Sequence, residues 1–387
     1  MDLDPTPGEA AFRDGARAWL AAHVPRRPLR SLETAEGFAE HRAWERTLAD
    51  GGWSAVDWPS RYGGRDASAV EWLLFEEEYW AAGAPARVAQ NGIRLLGPAL
   101  LEHGTEEQRA RLLPPTARGE TVWAQAWSEP EAGSDLAALR STAVRAEGGW
   151  LLRGHKTWSS RAAFADRAFG LFRSHPGAER PHLGLTYVMF PLDAPGVTVR
   201  PIARLDGRAA FAELFLDGVF VPDADVLGEP GQGWRVAMST AGDERGTTLR
   251  SPGRFTAAAE RLVALWRATA DPADTALAAR VAGVVLRARA YQLLAYARAG
   301  RPGAGGARSS LTKLLWSELD LALHELALDL LGPRGELASG ADDAPQGGGW
   351  ADGWVFALAG PLYAGTNEIQ RDIVAERLLG LPRGRRP

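Results

Sequence analysis

The sequence contains no cysteine, which excludes disulfides, thiolate metal sites and cysteine nucleophiles. Lysine is almost absent: Lys156 and Lys313 stand against a background of arginine, an imbalance that abundant Ala and Gly attribute to a GC-rich coding bias. There is no excess of positive charge, with 44 Lys+Arg against 48 Asp+Glu, so no basic field points to nucleic acid. No apolar run approaches the roughly 18 residues of a membrane helix. The opening MDLDPTPGEA is acidic and polar, unlike a secretory signal. No Ser-His-Asp arrangement, HExxH, P-loop or Rossmann glycine fingerprint occurs. A soluble cytoplasmic protein is expected, with no metal, no membrane and no nucleic-acid partner.

What is present is enough for a large core. The chain has 387 residues, 45% of them hydrophobic, which suggests two or three domains. Residues 9–24 place Phe12, Ala16, Leu20 and Val24 at helical spacing. Residues 68–83 and 88–104 continue that pattern, each ending at glycine, and residues 51–64, rich in Gly, Pro and Trp, read as a structured loop. After about Gly119 the texture changes to short alternating or apolar runs: 148–160, 167–174, 183–192, 196–202 and 209–221. Long alanine- and leucine-rich stretches at 255–270, 274–300 and 309–332 return to helix, apolar on more than one face, as in a bundle or a subunit interface. Residues 338–353 read as a flexible surface loop. The expected order is a helical segment over 1–120, a β segment over 121–228 and a helical segment over 229–387: an α+β chain, mainly α.

Four stretches could carry chemistry. AQAWSEPEAGSDLAALRSTA (124–143) is a turn-rich loop whose small residues let backbone approach a ligand, or else an ordinary turn with capping Ser and Asp. In RGHKTWSSRAAFAD (153–166), Trp158 could wall a planar ring, or be one core tryptophan among fifteen. In STAGDERGTTLRSPGRF (239–255), Glu244 follows a glycine-containing approach to a helix, where a first-turn carboxylate simply suits the dipole. PLYAGTNEIQR (361–371) reads as a tight Gly turn opening a helix.

Taken together and in this order, the stretches resemble the acyl-CoA dehydrogenase family. WSEPEAGSDLA, GHKTWSS and LYAGTNEIQRDIVAERLLG are similar to its signatures; DWPSRYGG, EHGTEEQRARLLPP and LLGPRG also fit. The resemblance covers nearly the whole chain. It implies an N-terminal helical domain, a central β-barrel domain and a C-terminal four-helix bundle, with FAD between the last two and part of its site from a neighbouring subunit. Carried over residue by residue, Trp127, Ser128, Gly133, Ser134, Trp158, Ser160, Thr366 and Glu368 would bind the cofactor, and Ser134, Arg245 and Gly365 would meet the substrate. The family's Arg-x-x-Phe-Gly element is reduced to RSPGRF here.

In most of the family the residue at position 364 is the glutamate that removes a proton; here it is alanine. A minority carry that glutamate directly before an arginine at the start of the third domain, and DERG matches them, which makes Glu244 the candidate base. A backbone N–H survives any side chain, so Ala364 can still donate to the thioester oxygen. The resemblance implies oxidation of an acyl-CoA or acyl-carrier-protein thioester to its trans-2-enoyl product. It further implies an electron-transfer flavoprotein or similar acceptor and a homo-oligomer, dimer or tetramer, with a hetero-oligomer as the alternative. A flavin monooxygenase on the same fold and a non-catalytic subunit of a heteromeric dehydrogenase are the alternatives.

Overall fold

The structure is a computed structural model that describes residues 4–245, 250–271, 273–299 and 307–382. It contains helices α1 (Pro7–His23), α2 (Ala35–Asp50), α3 (Ala69–Ala81), α4 (Gly97–His103) and α5 (Glu106–Ala117). Strands β1 (Trp123–Ala126), β2 (Thr142–Ala146), β3 (Gly149–Ser160), β4 (Arg167–Arg173), β5 (Leu185–Pro191), β6 (Val197–Ile202), β7 (Phe211–Pro222) and β8 (Val226–Leu227) follow. Helices α6 (Gly233–Arg245), α7 (Pro252–Thr269), α8 (Thr275–Ala299), α9 (Ala307–Leu331), α10 (Gly349–Ala357) and α11 (Asn367–Arg377) complete the order. No helix among the described residues is long and apolar enough to cross a membrane.

The local signals act where the sequence places them. Thr6, Ser68 and Thr105 each close a capping box at the start of α1, α3 and α5, satisfying helix N–H groups that have no partner within the helix. The five strand-like runs of the middle segment become β3 to β7. Three local expectations are corrected. Residues 91–96 form a π-helical turn before α4. The stretch 338–353 is not all loop, because α10 begins at Gly349 and buries Trp350. Glu244 and Arg245 lie in the last turn of α6, not the first.

By compactness the chain divides into two units. One holds Met1–Val24, Ser68–Ala84 and Arg245–Pro387; the other holds Pro25–Ala67 and Pro85–Glu244. In the second unit the strands pair in the order β6-β7-β3-β2-β4-β5-β8, with β1 added parallel to β4. This path has two ends, so the expected barrel is an open sheet among the described residues; β6 and β8 are not paired with each other. Its core includes Leu152, Phe172, Val188, Phe190, Leu214 and Val219.

In the first unit, α7, α8 and α9 pack around Phe255, Leu262, Tyr291, Trp316 and Leu323, with α10 and α11 against α9. Helix α3 joins this unit through α7. The approach depends on Gly253, where an added Cβ would lie 2.5 Å from the carbonyl oxygen of Glu76. Backbone atoms cannot move aside cheaply, so Gly253→Ala is expected to lower stability by about 1–3 kcal/mol through overpacking. Urea unfolding of the variant checks this, and an unchanged midpoint would show that α3 and α7 do not approach in this way.

Candidate functional site

The site begins with a lysine that has no access to water. Lys156 lies on β3, 0% exposed. Its Nζ donates to the Glu129 carboxylate at 2.8 Å, to the Leu171 carbonyl at 2.7 Å and to the Trp127 carbonyl at 3.3 Å. Glu129 also accepts from the backbone N–H groups of Arg140 at 2.6 Å and Ser141 at 2.9 Å. Burial lowers the Lys156 ammonium to about 8, partly opposed by the Glu129 charge, so it remains mostly protonated at neutral pH. Burial pushes the Glu129 carboxyl up, but Lys156 and the two N–H donors outweigh it and hold it below the usual range. This pair joins the 124–143 stretch to the 153–166 stretch, and the Thr157 N–H donates to the Ser128 carbonyl at 2.9 Å beside it.

One residue later the strand is strained. Across β3 and β7, Lys156 faces Leu214 but Ser159 faces Ala212, so Thr157 and Trp158 together oppose one residue. Where such a bulge takes a residue at positive φ, that residue is normally glycine. The other irregularity of this ladder, at Leu152/Arg153, has Gly218 at φ +67° across from it, whereas here Trp158 takes φ +60°. A bulky residue in that region costs about 1–3 kcal/mol and marks a position held for another purpose. Trp158 is 60% exposed, with Phe211 edge-on at 5.8 Å. Ser160 is half-buried at the end of the strand, paired with Phe211. Around this strand, Trp127 Nε1, Ser159 Oγ and the Tyr187 hydroxyl are buried with no hydrogen-bond partner among the described residues.

Trp127 packs edge-on against Tyr187 at 6.4 Å. The Tyr187 phenol is held far above its usual range, first by burial and then by the negative charge of Glu244. Tyr187 therefore links two expected site residues, Trp127 and Glu244, although nothing in its strand sequence distinguished it. Glu244 itself is half-buried at the C-terminal end of α6, where the helix dipole opposes a carboxylate. Gly246, which completes the DERG stretch, lies outside the described residues. Ser128 is half-buried beside the Lys156 pair; Gly133 and Ser134 are exposed on the following loop, with open space where a Gly133 Cβ would go.

The remaining expected residues lie in the unit that contains the C-terminal helices. Ala364 adopts φ +59° and Gly365 φ +80°. Arg245 Nε donates to the Ala364 carbonyl at 3.0 Å. Gln370, fully buried on α11 and not among the expected site residues, donates from Nε2 to the carbonyls of Ala364 at 3.1 Å and Gly365 at 3.3 Å. Among the described residues the Ala364 N–H donates no hydrogen bond. Thr366 caps α11, its hydroxyl accepting from the Ile369 N–H at 3.3 Å, and Glu368 is exposed in the first turn. The second lysine, Lys313, is also buried and donates to Asn367 Oδ1 at 2.7 Å at the start of the same helix.

Comparison with known proteins covers nearly the whole chain. Residues 6–120, 124–219 and 231–379 match the N-terminal, middle and C-terminal domains of acyl-CoA dehydrogenase. Acyl-CoA dehydrogenase IpdE1 of Mycobacterium tuberculosis is 39% identical over 382 residues, covering 96% of this chain and 97% of the relative. Acyl-CoA dehydrogenase FadE26 of the same organism is 30% identical, with both chains fully covered. Among solved structures, the ChsE4-ChsE5 complex of Mycobacterium tuberculosis is 28% identical, with TM-score 0.88 and full coverage of both chains. The Tcur3481-Tcur3483 steroid ACAD is 29% identical, with TM-score 0.87, covering 99% of this chain and 100% of that one.

Removing Lys156 leaves Glu129 buried and charged without its partner. Lys156→Met is therefore expected to cost about 3–5 kcal/mol, and adding Glu129→Gln should recover part of that loss. Chemical denaturation of the single and double variants checks the pair. If the double variant is no more stable than Lys156→Met, the two side chains do not depend on each other.

Proposed function

The chain belongs to the acyl-CoA dehydrogenase family, and on that footing we propose that it oxidises an acyl thioester to the trans-2-enoyl thioester, with Glu244 as the base. The family is one of flavoprotein oxidoreductases, and FAD is its cofactor. The residues present suit such a group: Trp158 offers an exposed aromatic face from a strained backbone, and Trp127 Nε1, Ser159 Oγ and the Tyr187 hydroxyl are buried polar atoms with no protein partner among the described residues. Trp127, Ser128, Gly133, Ser134, Trp158 and Ser160 would hold it, with Thr366 and Glu368 at its other parts. Bound FAD supplies the acceptor for the hydride that leaves the substrate β-carbon.

The chain's own residues handle the proton and the charge. Glu244 takes the α-proton, which requires a carboxylate within hydrogen-bond reach and ionised when it acts. It stands in the last turn of α6, where the helix dipole opposes a carboxylate. As the proton leaves, negative charge grows on the thioester oxygen, and the Ala364 N–H donates to it. The observation that carries this reading is the 3.0 Å bond from Arg245 Nε to the Ala364 carbonyl, because Arg245 is the residue that directly follows Glu244. Ser134, Arg245 and Gly365 complete the proposed substrate contacts, with Arg245 acting through the Ala364 carbonyl.

For the substrate we propose a CoA thioester of steroid origin. The likeness to a protein described as a steroid ACAD supports this. The likeness to ChsE4-ChsE5, a complex of two different chains, supports a hetero-oligomer with a related second subunit. Electrons would pass to an electron-transfer flavoprotein or a similar acceptor.

The purified protein is expected to be yellow and to release FAD, not FMN, on denaturation. Glu244→Gln should keep its FAD and bind thioester but reduce flavin about 10²–10⁴-fold more slowly. Stopped-flow anaerobic reduction measures this. An unchanged rate would remove Glu244 as the base and return the monooxygenase and non-catalytic readings.

A further inference from the structure

Residues 363–365 are fastened on both sides of a left-handed alanine. On the N-terminal side, Arg250 donates to the Tyr363 hydroxyl from two nitrogens, at 2.9 and 2.7 Å, and the Tyr363 ring stacks on Trp316 at 5.6 Å. On the C-terminal side, Arg245 and Gln370 both donate to the Ala364 carbonyl, and the same Gln370 amide continues to the Gly365 carbonyl. With the Tyr363 side chain and the following peptide both held, the Ala364 φ of +59° is imposed from outside, since an alanine does not choose that region unaided. The direction of the Ala364 N–H is set with it.

Gln370 has the central part in this clamp. It is fully buried, and its amide spans two successive carbonyls of the turn. The turn and the amide are in close contact: a Cβ on Gly365 would lie 2.4 Å from Gln370 Nε2 and displace the amide, while the φ of +80° itself favours glycine.

We infer that Gln370 is a positioning residue for the dehydrogenation, holding the Ala364–Gly365 turn so that the Ala364 N–H points at the developing oxyanion. The inference rests on the proposed reading of Ala364 as the oxyanion donor. Gln370 touches neither substrate nor proton. Its effect is therefore on the rate of flavin reduction, without a change in thioester affinity or in the titration of the base. A displacement of about 1 Å at a reacting centre can cost about 10²-fold, which sets the scale.

The test uses the flavin-loaded protein with octanoyl-CoA and with a steroid-bearing CoA thioester, following anaerobic flavin reduction from pH 6 to about 9 with whichever reduces the wild type faster. Two variants are compared with wild type: Gln370→Met, which fills the space without donors, and Gln370→Glu, which keeps the shape but replaces the amide. Both should reduce flavin about tenfold or more slowly. Both should also retain FAD, bind thioester within about twofold of wild type and keep the midpoint of the pH profile. If wild type reduces flavin and the variants match it, the inference is wrong while the dehydrogenase reading stands. If the variants lose flavin or unfold, Gln370 serves folding and the inference is likewise overturned. A displaced pH midpoint assigns Gln370 to the base and contradicts it. If neither thioester reduces the wild-type flavin, the proposed substrate reading fails and the inference falls with it.

Discussion

An ammonium group sealed from water must find its partners within the protein, and Lys156 finds them in the segment between β1 and β2 and on the neighbouring strand β4. Its bonds to Glu129 and to the carbonyls of Trp127 and Leu171 determine where β3 can run. An unpaired charge at this depth would cost several kcal/mol, so neither the loop nor the strand can shift without the other. Glu129 extends the constraint to the backbone of Arg140 and Ser141, at the start of β2. Just beyond the lysine the strand bulges and turns Trp158 outward in a conformation that costs energy. A rigid anchor beside a strained, exposed aromatic residue suits the binding surface proposed for it.

The C-terminal helices repeat the pattern with different parts. There the strained residue is Ala364, and the anchors are Arg245, Gln370 and Arg250. The second lysine, Lys313, is buried as Lys156 is, and it fixes Asn367 at the start of α11 just after the turn. In a chain that otherwise uses arginine, both lysines are buried, and each fastens one of the stretches singled out from the sequence. A compact ammonium with three donors fits such a site better than the planar fork of arginine. The proposed proton acceptor, Glu244 in place of a side chain at position 364, is compatible with this frame, because in that proposal the turn at 364 would contribute only its backbone.

Much of this is legible in the sequence, and the exceptions share a physical cause. Helix and strand periodicity identifies α1, α3, α7, α8 and α9 and five of the strands, since those elements bury one regular face. Strands β1 and β2 are short and lie in or beside a turn-rich stretch, so no alternation announces them. Gly242 reads as a helix start and puts Glu244 in a first turn; in the fold it sits inside α6 with nothing within 4 Å of a Cβ, so the helix runs through it. The barrel came from the resemblance, whereas the pairing order leaves the sheet open. Lys156 can be noticed within its motif, but Glu129 as its partner cannot, because that pairing joins separate strands and loops. Gln370 belongs to the alternating polar run Thr366, Glu368, Gln370 but nothing there marks its role, and Tyr187 carries no signal: one bonds backbone carbonyls, the other meets an aromatic edge and the charge of a residue distant in sequence.

The central claim is that this chain breaks a Cα–H bond beside a thioester and that Glu244 receives the proton. A deuterium isotope effect reports on that bond directly. The protein, purified with its flavin, is mixed anaerobically with a thioester deuterated at the α-carbon and with its protiated counterpart. Flavin reduction in the wild-type enzyme is expected to be slower with the deuterated compound. Equal rates with both compounds, or no reduction by any acyl-CoA, would contradict the claim.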